Sequence, residues 1–223
     1  MLADGRFPAG GHAHSGGLEA AVVAGRVSDP GTLEAFLRGR VATSGAMAAA
    51  FAAAACAAFD GPPEGPERHR TRLAETDSEP ETGTDPETGT GTETGGQGRI
   101  SALDTELEAR TPAPALRATS RKLGRQLLRT ARAIRPHPGL DALAAALHDA
   151  ATGPATAAVR LLGLDPFAVH AVLARLAPDL DRLATAATAR ANAPAAELPA
   201  YGAPSLDISA ELHATWEVRL FAS

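Results

Sequence analysis

The sequence predicts an all-α fold, a single globular bundle of roughly eight to ten helices interrupted by a disordered acidic insert. Three observations lead there. Of the 223 residues, 52 are Ala and 25 are Leu, both strong helix formers. Strand formers are scarce, with 8 Val, 3 Ile, 6 Phe, 1 Trp and 1 Tyr. Apolar side chains also recur at helical spacing in one segment after another. We read residues 1–223 as one domain, with a low-complexity insertion at 60–99.

Ser15–Ala24 carries Leu18, Val22 and Val23 at helical spacing and is stopped by Gly25. Asp29-Pro30 opens the next segment, with an acid suited to capping and a proline suited to a first turn. Leu33, Phe36 and Leu37 then form a stripe that runs into Val41–Phe59, 19 residues without a charge. That length approaches a bilayer span. Most of the run is weakly apolar Ala, diluted by Thr43, Ser44 and Gly45, so it is expected to be a packed central helix.

Residues 60–99 hold ten acids (Asp60, Glu64, Glu67, Glu75, Asp77, Glu79, Glu81, Asp85, Glu87 and Glu93) against Arg68, Arg70, Arg72 and Arg99. Within them, Glu79–Gln97 is a Thr/Gly/Glu/Pro repeat with no large apolar side chain. It cannot bury enough surface to offset its ordering entropy, and disorder is expected.

Beyond the insert, Leu103 and Leu107 mark a short helix ending near Pro112 and Pro114. Leu116–Arg132 is amphipathic, with Leu116, Leu123, Leu127 and Leu128 set against Arg117, Arg121, Lys122, Arg125, Arg129 and Arg132. Further helices are expected at Leu140–Asp149 and Thr156–Leu162, then from Asp165-Pro166 through Leu176, with another starting at Pro178. Leu198–Ser223 contains two prolines and then a helix-compatible stretch ending in RLFAS.

The formal charge of −5 belongs to the insert. Residues 60–99 carry 10 acids and 4 bases, a net of −6, so the rest of the chain has 16 acids and 17 bases, or +1. A near-neutral body argues against nucleic acid as a partner. The basic helix has no interleaved aromatic residue for base stacking. The single cysteine, Cys56, excludes a disulfide framework or a Cys-based zinc finger and fits a reducing cytoplasmic location. The start, MLADGRFPAGGHAHSGG, lacks a basic region followed by an apolar core, so no signal peptide is expected.

The chemistry-bearing candidate is Gly10–Glu19, GGHAHSGGLE. No Lys completes a P-loop, and no strand precedes it to form a dinucleotide fingerprint. His12 and His14 are candidate ligands for nickel or zinc, and Ser15 could enter a Ser–His–acid triad on residue type alone. The other histidines show no ligand spacing, and His170, on a largely apolar helix, reads as a core residue. Trp216, Leu220 and Phe221 place apolar bulk beside a free end, which should dock on its own domain or on a partner.

Four ordered blocks carry a family resemblance. Pro8–Glu19 resembles the N-terminal signature of the urease accessory protein UreF family. Arg117, Ser120, Gly124 and Arg125 resemble its R-x-x-S-x-x-x-G-R segment, and Gly153–Pro166 and the terminal RLFAS are similar to its actinobacterial branch. The resemblance implies a non-enzymatic, all-α factor with no catalytic residues. Such a factor dimerises, binds UreD (also called UreH) and recruits the GTPase UreG, so that nickel reaches apo-urease. On this likeness the chain binds no cofactor tightly: nickel is handled by the assembly, and GTP is bound by UreG, whose GTPase activity the family is thought to modulate.

The implied partner-binding residues are Gly10, Gly11, His12, His14, Ser15, Glu19, Arg117, Ser120, Arg125, Arg219, Leu220, Phe221, Ala222 and Ser223. Glu19 matches a family Glu on the UreG-facing surface, and Arg219–Ser223 match a tail that packs on UreD. On that basis Glu19→Ala should leave the fold intact. Two other readings stay open: a metal- or nucleotide-dependent enzyme using His12, His14 and Glu19, and a purely structural helical adaptor.

Overall fold

Helix formation begins where the sequence supplies N-terminal caps. The computed structural model describes residues 14–59, 95–134 and 142–221, apart from the side chains at 59, 95, 97 and 126–150. Among them it has eight α-helices and no strand: α1 (Leu18–Val23), α2 (Pro30–Arg40), α3 (Ala46–Phe59), α4 (Gly95–Ala109), α5 (Pro114–Ile134), α6 (Ala142–Leu162), α7 (Pro166–Ala189) and α8 (Pro204–Ala214). The Asp29 carboxylate accepts from the backbone N–H of Gly31 and Thr32, at 2.8 and 2.9 Å, while Thr32 Oγ1 accepts from the Asp29 N–H. These reciprocal bonds satisfy donors that the first turn of α2 would otherwise leave bare. They also hold the Asp29 carboxyl below the usual carboxylate range, the Thr32 N–H contributing most. Asp165 caps α7 in the same way, accepting from the Phe167 and Ala168 N–H.

Gly25 ends α1 as expected. Its φ of +68° lets the chain reverse so that the Gly25 and Arg26 N–H reach the Val22 and Ala21 carbonyls. Between α2 and α3 the helix winds once as a π-turn, Val41–Gly45. Hydroxyls occupy carbonyls there: Thr43 donates to Gly39 O and Ser44 to Arg40 O.

Helix α3 is the centre of the packing, touching α4, α6 and α7, while α2 and α1 lie on α6 and α5 rests on α8. Ala49, Ala50, Ala53 and Ala54 are buried along α3. Their methyl side chains let neighbouring helices approach closely, which is how an alanine-rich chain builds a dense interior. A second cluster joins Met47 and Phe51 to Leu103 of α4 and Leu198. The largest unites Leu18, Val27, Leu33, Leu37, Ala158, Val169, Val172, Leu176 and Phe221. Pro30–Ala58 is long and apolar enough to cross a bilayer, yet half of its most apolar window is buried against the protein's own helices.

Four expectations change. The two helices expected at Leu140–Asp149 and Thr156–Leu162 are one, α6, with Pro154 inside it. An internal proline costs about 3 kcal/mol in isolation, but Pro154 is buried and flanked by buried Ala151, Ala155, Ala157 and Ala158, whose packing favours continuity. Pro178 likewise falls within α7 rather than starting a new helix. The carbonyl it leaves unbonded belongs to exposed Ala174, where water can serve it, while Leu176, Leu180 and Leu183 carry the packing past the proline. The insert was expected to run to residue 99, but α4 already begins at Gly95. Arg99 donates to the Ala191 and Ala193 carbonyls, and at Gly96 a Cβ would lie 2.9 Å from Ala58 O, so glycine lets α4 start hard against α3. Residues 60–94 lie outside the described residues. His170 is exposed, with Nδ1 donating to Pro166 O at 2.8 Å, and is no core residue.

On the surface, Glu34 of α2 accepts from Arg175 of α7 and pairs with Arg38. The Arg175 hydrogen bond, followed by the two guanidinium charges, holds the Glu34 carboxyl below its ordinary 4.5. A carboxylate depressed in the folded state adds stability above its unfolded value, and that stability is lost as pH falls through the folded value. Arg175→Ala should therefore raise the Glu34 midpoint in a carboxyl-carbon NMR titration. An unmoved midpoint would show that the contact is absent in solution.

Candidate functional site at the N-terminal loop and the C-terminal tail

Two consecutive glycines shape the entry to α1. Gly16 and Gly17 have φ of +59° and +89°, the left-handed region that side chains with a Cβ avoid. Both also sit in close quarters. A Cβ on Gly16 would lie 2.9 Å from Arg40 Cζ and 3.0 Å from Pro154 Cγ, and one on Gly17 would lie 3.0 Å from Leu206 Cδ2. The glycines thus let the loop turn beneath Arg40 and Pro154 and bring α1 against α8. Gly16→Ala should cost about 2 kcal/mol, because the Pro154 ring is anchored in α6 and cannot yield. Gly39→Ala, in open space on α2, should be neutral or stabilising. Equal urea midpoints for the two variants would sink this account.

The turn places His14, Ser15 and Glu19 inside the protein. Glu19 is 5% exposed. Its carboxylate accepts three hydrogen bonds: Leu220 N–H to Oε1 at 2.9 Å, Phe221 N–H to Oε2 at 3.1 Å, and His213 Nε2 to Oε2 at 2.8 Å. His213, near the end of α8 and 2% exposed, stacks at a tilt on Trp216 with ring centroids 4.7 Å apart. Phe221 is 6% exposed, seated in the largest core cluster with the Arg160 guanidinium over its ring at 5.4 Å. Val218 and Leu220 point outward at 81% and 74% exposure.

The structure therefore brings together Glu19, Leu220 and Phe221 from the expected set and adds His213, which the sequence reading passed over. Glu19 was expected on a partner-facing surface; its carboxylate instead faces inward, because the tail amides and His213 converge on it. The tail was expected to dock on its own domain or a partner, and in this chain Phe221 docks on its own domain. Arg219 is exposed. Arg117, Ser120 and Arg125 sit apart, on α5. Arg117 donates to the Thr111 and Pro112 carbonyls, while Ser120 and Arg125 are exposed. Helix α5 packs on α8, where Glu211 accepts from the Ala115 N–H. Gly10, Gly11, His12, Ala222 and Ser223 lie outside the described residues.

The described residues at this site assemble no Ser–His–acid triad. Among the described residues the buried Ser15 hydroxyl has no hydrogen-bond partner, so it is not joined to the Glu19–His213 pair. No group of three or more His, Cys, Asp or Glu among the described residues could hold a metal. A cavity of about 50 Å³ beside α8 is lined by Arg40, Ser44, Met47, Arg110, Tyr201 and Asp207, among others. That space suits a water or two rather than a substrate. Burial pushes the Asp207 carboxyl above its ordinary value.

Comparison with known proteins supplies the lineage. A model of the UreF family matches residues 27–142 and 138–177. A urease accessory protein UreF from Mycolicibacterium vanbaalenii is 36% identical over 248 aligned positions, covering 100% of this chain and 96% of that protein. This chain belongs to the UreF family. A UreF from Mycobacterium sp. (strain JLS) is 38% identical with 100% and 96% coverage, and one from Mycobacterium tuberculosis H37Rv is 36% identical with 84% and 83%. The span matched by the UreF model ends at residue 177, so the Glu19–His213–tail cluster lies outside it on both sides. The first two UreF relatives align over the whole chain and so span the positions of both halves of that cluster.

Proposed function

We propose that this chain is a non-enzymatic urease maturation factor that works through protein surfaces in the cytoplasm. It dimerises, binds UreD (UreH) and recruits the GTPase UreG, whose GTP hydrolysis it modulates. Nickel is cargo that the assembly passes to apo-urease, with His12 and His14 as this chain's candidate contacts. The observation that carries the reading is the full-length similarity to proteins named urease accessory protein UreF. The geometry favours it too. A buried carboxylate spends its oxygens on the chain's own tail, while Val218 and Leu220 of that tail, and Ile208 and Leu212 of α8, are left exposed. Exposed apolar groups grouped on one element and its extension favour docking of a protein partner. The proposed partner-binding set is the N-terminal block as far as Ser15, with Arg117, Ser120 and Arg125 on α5 and the tail from Arg219 to Ser223; Glu19, buried against that tail, is left out of it.

The test is co-purification with UreD and UreG, using the intact chain and one lacking residues 217–223. The intact chain should form the complex, and the truncated chain should hold UreD far more weakly. Failure of the intact chain to bind either protein would end this reading.

A further inference from the structure

We infer that Glu19 and His213 are positioning residues: they govern partner binding by fixing the C-terminal tail, and neither touches the partner. The inference rests on the proposed role of the tail in binding UreD.

Both side chains are buried, so a partner could reach them only if the tail first left. What Glu19 holds is a closed loop. At one end is His213, on the last turn of α8; at the other are the amides of Leu220 and Phe221. One carboxylate, contributed by α1 almost two hundred positions earlier, therefore ties together both ends of residues 213–221. Compact surface loops with joined ends commonly carry function.

The grip also sets which residues face out. Oε1 takes the Leu220 amide and Oε2 the Phe221 amide, so the tail is fixed in rotation as well as in place. Phe221 then enters the core, and Val218 and Leu220 stay in solvent. Glu217 and Arg219, also exposed, flank Val218 with opposite charges. The displayed surface suits an apolar partner face edged by both signs of charge. A loop already held in its binding shape avoids ordering several side chains on association. Loosening the tie should weaken binding although no contact residue is lost.

The experiment uses the full chain and purified UreD. Glu19→Gln and His213→Ala should each weaken UreD binding by roughly tenfold, about the effect of one to two ordered side chains. His213→Gln, whose amide can donate where Nε2 does, should recover most of the loss. Hydrogen exchange at Leu220 and Phe221 should speed up in the two weakened variants, with α3 amides unchanged. In a chain ending at Glu217, the same substitutions should have no further effect on residual binding to UreD. If they weaken the truncated chain equally, they act outside the tail and the inference falls. It also falls if exchange at Leu220 and Phe221 accelerates while affinity for UreD stays at the wild-type level. Should the wild-type chain fail to bind UreD at all, the proposed function fails, and unchanged exchange at residues 220 and 221 would separately refute positioning.

Discussion

Glu19→Ala should lower unfolding free energy by about 3 kcal/mol in urea denaturation near neutral pH. Three donors converge on this carboxylate. Hydrogen bonds to a charged group contribute about 1.5–3 kcal/mol each, and a donor left buried without a partner costs about 1–3 kcal/mol. A simple sum would overstate the loss, because residues 217–220 lie exposed on the surface and the segment can lift to let water reach the Leu220 and Phe221 amides. Glu19→Gln should lose less, since one amide oxygen can still accept from a tail N–H. The motif alone led to the opposite expectation, that Glu19→Ala leaves the fold untouched. A loss below about 1 kcal/mol would mean that the tail is not held by this carboxylate in solution.

Phe221→Ala should cost a similar amount, about 3 kcal/mol, at the lower end of the range for truncating a buried aromatic residue. Phe221 shares its cluster with Leu18, Ala158 and Leu33, and it also carries the Arg160 guanidinium on its ring. The loss is capped by the total free energy of docking the segment that Glu19 and the core cluster hold. That cap yields a sharper expectation: Glu19→Ala and Phe221→Ala combined should cost clearly less than their sum, since either change alone frees the same segment. Additive losses would mean that the two residues stabilise the protein independently.

Local features were legible in the sequence. Asp29-Pro30 and Asp165-Pro166 announce their helices because a cap acts within three residues of itself. Gly25 ends α1 for an equally local reason. The composition of Val41–Phe59 foretold a packed central helix. What stayed hidden is non-local. Pro178 looked like a boundary because its penalty is intrinsic, while the packing that keeps α6 and α7 continuous past Pro154 and Pro178 comes from other helices. Gly95–Arg99 looked like the end of an unstructured insert because the carbonyls that Arg99 ties down belong to residues 191 and 193. In the candidate site, Glu19 stood out in a motif, yet nothing in the spacing of His213 ties it to a residue 194 positions away. Even the tail's docking could be foreseen only as a need to cover apolar bulk, with its receptor left open.

The π-turn at Val41–Gly45 works as a phase shifter in the long helix that carries it. Upstream, Leu33 and Leu37 face the cluster shared with α6, α7 and the tail; downstream, Met47 and Phe51 face α4, and Ala49 and Ala53 face α7. One rod thereby serves three interiors that a uniformly wound helix would present at different angles. A π-turn takes up one residue more than an α-turn, so winding these same five residues as regular α-helix would rotate everything after them by about 100° relative to α2, the angular step of one α-helical residue. The methyl-lined contacts of α3 would then be aimed at the wrong neighbours, although no side chain in any of the clusters had changed.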